Sequence, residues 1–261
     1  MDLGLNGKVA LVMGAGGGLG SAIALALAAE DVKVAAADID PEALATTVDA
    51  IRGAGGAALA LQWDLADLSA IDGHIGTIEA ELGSVDVLVN NTGGPPPTPA
   101  IGQTPELWET NFRSMVLSVI AVTDRVLPGM RARKWGRIIT STSSGVVAPI
   151  ANLGISNALR LSLVGWSKTM AREVARDGVT ANVIVPGRIA TRRIRFLDES
   201  KAKRENRPVD VVTAESTASI PLGRYGEPEE YGAVVAFLAS RQASYVTGTV
   251  QRVDGGLLSN I

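Results

Sequence analysis

The feature that most constrains the fold is a regular alternation between short β-branched runs and stretches with helical spacing of apolar residues. The β-branched runs lie at residues 9–13, 32–37, 57–62, 85–89, 137–140, 180–185 and 250–253. Helical patterns occupy the intervals, for example at residues 21–30, 41–52, 105–133, 157–176 and 228–240. This alternation is typical of βαβ units with parallel strands. Because no linker-like stretch divides the 261 residues, we predict a single α/β domain with a doubly wound, seven-stranded parallel sheet.

Composition restricts the chemistry open to the chain. The absence of cysteine excludes disulfides, iron–sulfur clusters and thiolate catalysis, and the single histidine, His74, excludes a multi-histidine site, so we predict no metal. A net charge of −3 with no basic face argues against a nucleic-acid partner. The first residues carry no basic signal segment, and no apolar run reaches the length of a membrane span. We therefore expect a cytoplasmic protein with no membrane partner.

A glycine-rich loop follows the first predicted strand and opens directly into a helix. It is the run Gly14-Ala15-Gly16-Gly17-Gly18-Leu19-Gly20. Glycines let backbone N–H groups approach a pyrophosphate, and the helix N-terminus adds partial positive charge there. A glycine-rich turn without a ligand would not explain why an acid, Asp38, ends the next strand. The pattern predicts a dinucleotide site of the Rossmann type.

Asp38 discriminates between the two common dinucleotides. A carboxylate at the end of the second strand can accept hydrogen bonds from the adenosine ribose, and it would repel a 2′-phosphate. The sequence therefore predicts NAD rather than NADP. The alternative, that Asp38 only begins the turn before Pro41, explains neither its spacing from the glycines nor the glycines themselves.

Two segments interrupt the alternation at the expected ligand crevice, which lies at the carboxyl ends of the strands. Residues 93–99, with four prolines, predict a stiff exposed loop. Residues 192–219 carry seven basic and five acidic side chains, and we predict that they form a helical lid. The basic residues suggest an anionic small-molecule substrate, although a segment with interleaved acids is more commonly a solvated helix.

Further motifs carry a resemblance to a known family. The sequence has Asn90-Asn91-Thr92-Gly93 after the fourth predicted strand and Pro186-Gly187-Arg188-Ile189-Ala190-Thr191 after the sixth. With the glycine loop, these motifs resemble the short-chain dehydrogenases/reductases over essentially the whole chain, and most closely the β-ketoacyl carrier-protein reductases. The resemblance implies that the cofactor contacts include Asp64, Leu65, Asn90, Gly93, Arg160, Pro186, Ile189 and Thr191. It also implies a homotetramer.

The same resemblance identifies a departure at the catalytic positions. The family uses a Tyr, a Lys four residues later, a preceding Ser and an Asn on an earlier helix. Counted along this chain, these positions fall at Ser156, Arg160, Ser143 and Met115, and only Ser143 matches. Asn111 lies one helical turn from Met115.

Ser156 and Arg160 would share one helix face, from which Arg160 can reach towards the cofactor ribose and Ser143. A guanidinium can stabilise an oxyanion but does not relay a proton, and a serine hydroxyl is far less acidic than a phenol. We predict an NAD(H)-dependent alcohol/carbonyl oxidoreductase with Ser143, Ser156 and Arg160 as catalytic residues. Two alternatives are an NAD-binding sensor or scaffold, and non-redox chemistry as in the halohydrin dehalogenases, which also have Arg at the Lys position.

Overall fold

Seven parallel strands form one sheet in the computed structural model, which describes residues 2–261. The strands are β1 (Val9–Met13), β2 (Lys33–Asp38), β3 (Ala58–Gln62), β4 (Val87–Asn90), β5 (Gly136–Ser141), β6 (Val179–Pro186) and β7 (Val250–Val253). Their order is β3-β2-β1-β4-β5-β6-β7, so the strand order reverses between β1 and β4. The predicted doubly wound, seven-stranded sheet is confirmed, with strand ends within about two residues of the predicted ones.

Helices cover both faces of this sheet. They are α1 (Gly18–Ala28), α2 (Pro41–Gly53), α3 (Ile71–Glu81), α4 (Pro105–Phe112), α5 (Ser118–Ala132), α6 (Gly154–Val174), α7 (Arg192–Glu205), α8 (Val209–Ala218) and α9 (Pro228–Ala239). One core contains side chains of α3, α5 and α6, and the other contains side chains of α1, α2 and α9. Successive β1 residues alternate between the two cores, which is why every β1 position is buried and apolar.

The stretch 105–133, predicted as one helix, is interrupted by a π-helical turn, Arg113–Leu117. The hydroxyls of Ser114 and Ser118 donate to backbone carbonyls one turn earlier, at 3.2 Å and 2.7 Å. Such bonds compete with the regular helical ladder and bend helices. The turn changes the direction in which its side chains project, including that of Met115, and π-helical turns are frequent at functional sites.

The predicted lid folds as α7 and α8. Its central anchor is Asp198, which is buried and accepts hydrogen bonds from Arg188 (2.9 Å) and from the hydroxyl of Tyr225 (2.5 Å). Val212 of α8 is also fully buried. The Asp198–Arg188 ion pair and the buried Val212 therefore help to join these two helices to the body of the protein.

Within residues 2–261, no helix has the length and apolar character needed to cross a bilayer.

Candidate active site

A cavity of about 920 Å³ opens at the carboxyl ends of the strands. Its walls include Gly14 after β1, Asn91 after β4, Thr142 after β5 and Gly187 after β6. It therefore lies where the strand order reverses, which is the expected ligand position in an open parallel sheet. The lid helix α7 and the start of α6 close its other sides.

The glycine loop forms one wall through Gly14, Gly17, Gly18 and Leu19. Gly20 does not reach the cavity, because it packs against the loop itself: a Cβ there would lie 1.8 Å from the carbonyl oxygen of Gly14. Gly14 has a φ of 62°, which glycine adopts without strain.

The N-terminus of α1 is open to a ligand. No side chain caps it, and its first turn, beginning at Gly18, contains no acidic residue. Its first N–H groups are therefore free to bind an anion, and the helix dipole favours negative charge there. A guanidinium nitrogen of Arg192 would lie 3.3 Å from a Cβ on Gly17, so this wall of the cavity is positively charged. These features fit the pyrophosphate of a dinucleotide.

Asp38, the last residue of β2, lies beside Gly16 of the loop and lines the cavity. One carboxylate oxygen accepts a hydrogen bond from the N–H of Gly16 at 2.7 Å, and the other accepts from the N–H of Asp40 at 3.0 Å. Gly16 is required for this approach, since a Cβ there would lie 2.8 Å from the Asp38 carboxyl carbon. The carboxylate is thus held in one orientation before any ligand binds.

The segment after β3 forms the part of the cavity wall that was predicted to border the adenine. Asp64 and Leu65, predicted to border the adenine, both line it, as does Trp63, which the sequence analysis did not single out. The Trp63 ring stacks on His74, with centroids 4.5 Å apart, so His74 supports the cavity wall from outside. Burial lowers the pKa of His74.

The side chain of Asn90, a predicted cofactor contact, faces away from the cavity. It is fully buried and does not line the cavity. Its amide nitrogen lies 3.3 Å from the hydroxyls of both Thr123 and Thr140. Because Asn90 is the last residue of β4, the alternation of the strand turns its side chain towards α5.

The next two residues face the cavity instead. The amide of Asn91 donates to the carbonyl oxygens of Met13 (3.2 Å) and Gly14 (3.3 Å), which joins the end of β4 to the glycine loop. The hydroxyl of Thr92 is buried and has no hydrogen-bond partner within residues 2–261, although Thr92 lines the cavity. A buried hydroxyl without a partner is unfavourable, so this position fits a polar group of a bound ligand.

Ser143, Ser156 and Arg160 all line the cavity, so the structure brings the predicted catalytic residues together. Ser143 caps a short 3₁₀ turn after β5, and its oxygen accepts the N–H of Gly145 at 3.2 Å. Its hydroxyl hydrogen therefore remains free to be donated. Ser156 is buried on α6 and forms no side-chain hydrogen bond with the described part of the chain.

Arg160 is buried, and no carboxylate of residues 2–261 forms an ion pair with it. One terminal nitrogen donates to the carbonyl oxygens of Thr92 (3.1 Å) and Gly93 (2.8 Å), and the other lies 3.4 Å from that of Ser141. Burial, and after it the charge of Arg193, lower the pKa of Arg160 to about 10. The guanidinium therefore stays charged at neutral pH.

The other predicted cofactor residues lie on the cavity wall or directly behind it. Gly93, Pro186, Ile189 and Thr191 line the cavity, whereas Gly16 and Gly20 shape the glycine loop behind it. Thr191 caps α7 by accepting the N–H of Ile194, and it also packs over Gly18. Thr191 thus joins the lid to the glycine loop.

The chain matches known proteins over nearly its whole length. The family model described as enoyl-(acyl carrier protein) reductase matches residues 14–258. The 3-oxoacyl-[acyl-carrier-protein] reductase FabG of Escherichia coli is 37% identical over 254 residues, which cover 97% of this chain and 98% of that protein. Acetoacetyl-CoA reductase of Shinella zoogloeoides is 34% identical over 251 residues, covering 95% and 98%. This chain belongs to the short-chain dehydrogenase/reductase family.

A solved structure agrees with this assignment. The L-sorbose reductase of Gluconobacter frateurii, in complex with NADPH and L-sorbose, superposes with a TM-score of 0.94 at 29% identity, and all of both chains is covered. The resemblance to the short-chain dehydrogenases/reductases predicted from the motifs is therefore confirmed, and with it an oxidoreductase fold.

In this short-chain dehydrogenase/reductase, the helix that carries the family's Asn position presents Met115 to the cavity from the π-helical turn. Asn111 lines the cavity as well. Its amide, however, donates to the carbonyl oxygen of Leu107 at 2.8 Å, so its nitrogen is already engaged with its own helix.

No tyrosine of the described chain lines the cavity. Tyr231 nevertheless lies nearer to it than its position in the sequence indicated. Its hydroxyl is 2.9 Å from that of Ser141, at the end of β5. Burial raises the pKa of Tyr231. Because it sits behind the cavity wall, Tyr231 supports Ser141 and cannot contact a substrate.

Proposed function

We propose that this protein is an NAD(H)-dependent oxidoreductase that interconverts an alcohol and a carbonyl group on a small substrate, with non-standard catalytic residues. One observation carries the proposal: an open helix N-terminus behind a glycine loop shares a single cavity with Ser143 and Arg160. The relatives support it, because three of them are named as reductases of oxoacyl, acetoacetyl or sugar substrates.

The cofactor would be held along the whole cavity. The loop of Gly14 to Leu19 and the start of α1 would bind its phosphates, Asp38 its adenosine ribose, and Ile189 with Thr191 its nicotinamide end. When bound, NAD(H) would exchange two electrons with the substrate carbon. Several solved relatives hold NADPH or NADP, but the fixed carboxylate of Asp38 favours NAD here, because a 2′-phosphate beside it would be repelled.

The protein's own groups would act on the substrate oxygen. The Ser143 hydroxyl would donate a hydrogen bond to it, and the Arg160 charge would stabilise negative charge that develops there. Because Arg160 remains protonated and no tyrosine of the described chain lines the cavity, water or the substrate would supply the proton. Ser156 would occupy the tyrosine position without its acidity.

The direct test is turnover. Oxidation of NADH and of NADPH would be followed by absorbance over a panel of aldehydes, ketones and oxo acids, with the alcohols and NAD in the reverse direction. Stoichiometric formation of the alcohol would support the proposal. The lack of a cavity-lining tyrosine favours a second candidate, an NAD-binding sensor or scaffold. Tight NAD binding without turnover on any substrate would establish that function instead.

We expect NAD(H) to bind at least tenfold more tightly than NADP(H), a difference of about 1.4 kcal/mol. Asp38→Ala should narrow this gap, because it removes both the ribose acceptor and the repulsion. Calorimetric titration of both cofactors measures it. Glu42→Ala is the control, since Glu42 is acidic and exposed nearby but does not line the cavity. Equal affinities in the wild type would contradict the NAD assignment.

We also propose a cytoplasmic homotetramer, as the family resemblance implies. Apolar side chains are exposed on the long helices and the C-terminal elements, among them Leu161, Phe112, Phe237 and Val250. Sedimentation should give a mass four times the 27.0 kDa of the chain. Leu161→Glu should lower that mass, whereas the same substitution at exposed Ile39, on the cavity side, should not. A monomeric wild type would refute the prediction.

A further inference from the structure

The basic side chains of the cavity wall divide into three that form ion pairs with acids and three that do not. Three basic residues of the wall form ion pairs with nearby acids: Arg188 with Asp198 (2.9 Å), Lys201 with Glu215 (4.0 Å) and Arg204 with Glu205 (3.6 Å). Three others, Arg160, Arg192 and Arg193, line the cavity and form no ion pair within residues 2–261. The interleaved acids of the lid therefore neutralise only part of its basic charge.

Arg160 and Arg193 converge on the loop after β4. An ideal Cβ on Gly94 would lie 3.4 Å from a terminal nitrogen of Arg193 and 3.5 Å from one of Arg160. Arg193 donates to the carbonyl oxygen of Pro95 at 2.7 Å. Burial lowers the pKa of both guanidiniums, and the two charges oppose each other. Two like charges held together away from water are unfavourable unless an anion joins them.

The lid helix adds to this positive charge. Arg192 and Arg193 are the first two residues of α7, and its first turn has no acidic residue. Cations at a helix N-terminus oppose its dipole, whereas an anion there is stabilised by it. Arg192 lies beside Gly17, where it would serve the cofactor phosphates. Arg193 is thus left for another anion, and Arg160, which meets it beside Gly94, would add its charge to that site.

We propose that Arg160 and Arg193 together bind an oxyanion group of the substrate, so that the enzyme acts on oxo acids or their phosphorylated equivalents rather than on neutral carbonyl compounds. Two guanidiniums suit such a group because both are charged and each keeps N–H donors, among them its Nε–H, that no carbonyl oxygen of residues 2–261 accepts. The cavity wall also includes Met115, Ile150 and Leu153, which suits an apolar remainder of the substrate. This inference rests on the proposed oxidoreductase function.

The test uses protein saturated with NADH, so that the cofactor phosphates already occupy their site. Calorimetry would compare short 2-oxo and 3-oxo carboxylates with their neutral amides, and dihydroxyacetone phosphate with dihydroxyacetone. In at least one series, the charged compounds should bind at least about tenfold more tightly than their neutral analogues, as expected for charge-assisted hydrogen bonds. A preference in the oxo acid series would indicate a carboxylate substrate, and a preference for dihydroxyacetone phosphate would indicate a phosphate substrate.

Arg193→Gln should remove that preference while NADH affinity stays within about twofold, since Arg193 would bind the substrate and not the cofactor. Arg193→Lys should retain part of the preference for charged compounds, because it keeps the positive charge. Arg195→Gln is the matched control, because Arg195 is on the same helix but exposed and outside the cavity wall. The proposal is overturned if no charged series is preferred, if the control behaves like Arg193→Gln, or if Arg193→Gln weakens NADH binding as much as anion binding.

Measurements of turnover distinguish a failure of the proposed anion site from a failure of the proposed oxidoreductase function, on which the anion site rests. Oxo acids that bind tightly but are never reduced would leave the anion site standing and contradict the oxidoreductase. Equal turnover of neutral ketones and oxo acids would support the oxidoreductase and overturn the anion site.

Discussion

Ser143→Ala should lower turnover by about ten- to a thousandfold with little change in NAD affinity, the range expected for loss of one oxyanion donor. Ser143 already accepts the N–H of Gly145, so its remaining hydrogen can be donated to the substrate oxygen. No tyrosine of the described chain is in the cavity to compensate. Steady-state kinetics and NAD titration on the same preparation would show the separation of the two effects.

The cap that Ser143 forms makes a control necessary. Alanine also removes the N-terminal cap of the 3₁₀ turn, which costs about 1 kcal/mol of stability. Ser143→Thr keeps both the cap and the hydroxyl and should retain most of the turnover. Ser162→Ala removes a hydroxyl of α6 that does not line the cavity and should have no effect. Wild-type turnover in Ser143→Ala would show that the substrate oxygen is stabilised elsewhere.

Arg160→Ala should weaken NAD binding and turnover together, each by about tenfold or more, because in the proposed function one guanidinium would serve both the cofactor side and the substrate oxygen. The substitution also leaves the carbonyl oxygens of Thr92 and Gly93 without their donor. These carbonyls belong to the loop after β4, which lines the cavity proposed to hold the cofactor. Titration of NAD and kinetics at saturating NAD would measure the two losses separately.

Two neighbouring variants test the reason for that result. Arg160→Lys keeps the charge but cannot reach several carbonyl oxygens at once, so it should recover only part of the loss. Ser156→Ala, one turn earlier on the same helix face, should have the smallest effect of the three catalytic positions. Unchanged NAD affinity in Arg160→Ala, with a correctly folded protein by circular dichroism, would contradict its place at the cofactor.

Local patterns in the sequence were sufficient for the fold and for much of the cavity. Alternating β-branched and helical stretches led to the correct number of strands, because side-chain periodicity reflects which faces are buried. The glycine loop and Asp38 were recognisable because their role depends on backbone conformation and spacing along a single βαβ unit. Counting from the helix of α6 placed Ser156 and Arg160 correctly on the cavity wall.

Contacts between distant segments decided which side chains face the cavity and which charges are paired. The alternation of β4 turns the Asn90 side chain away from the cavity, and its amide is held there by the hydroxyls of two threonines, one on α5 and one on β5. The lid sequence gave only a mixture of charges. The tertiary structure pairs three of its five acids with basic side chains and leaves Arg193 beside Arg160, 33 residues away in the chain. Electrostatic pairing depends on distance in space and on burial, neither of which can be obtained from the order of residues alone. The sequence by itself therefore determined the sheet and the dinucleotide loop, and only the tertiary structure decided which charges remain for a substrate.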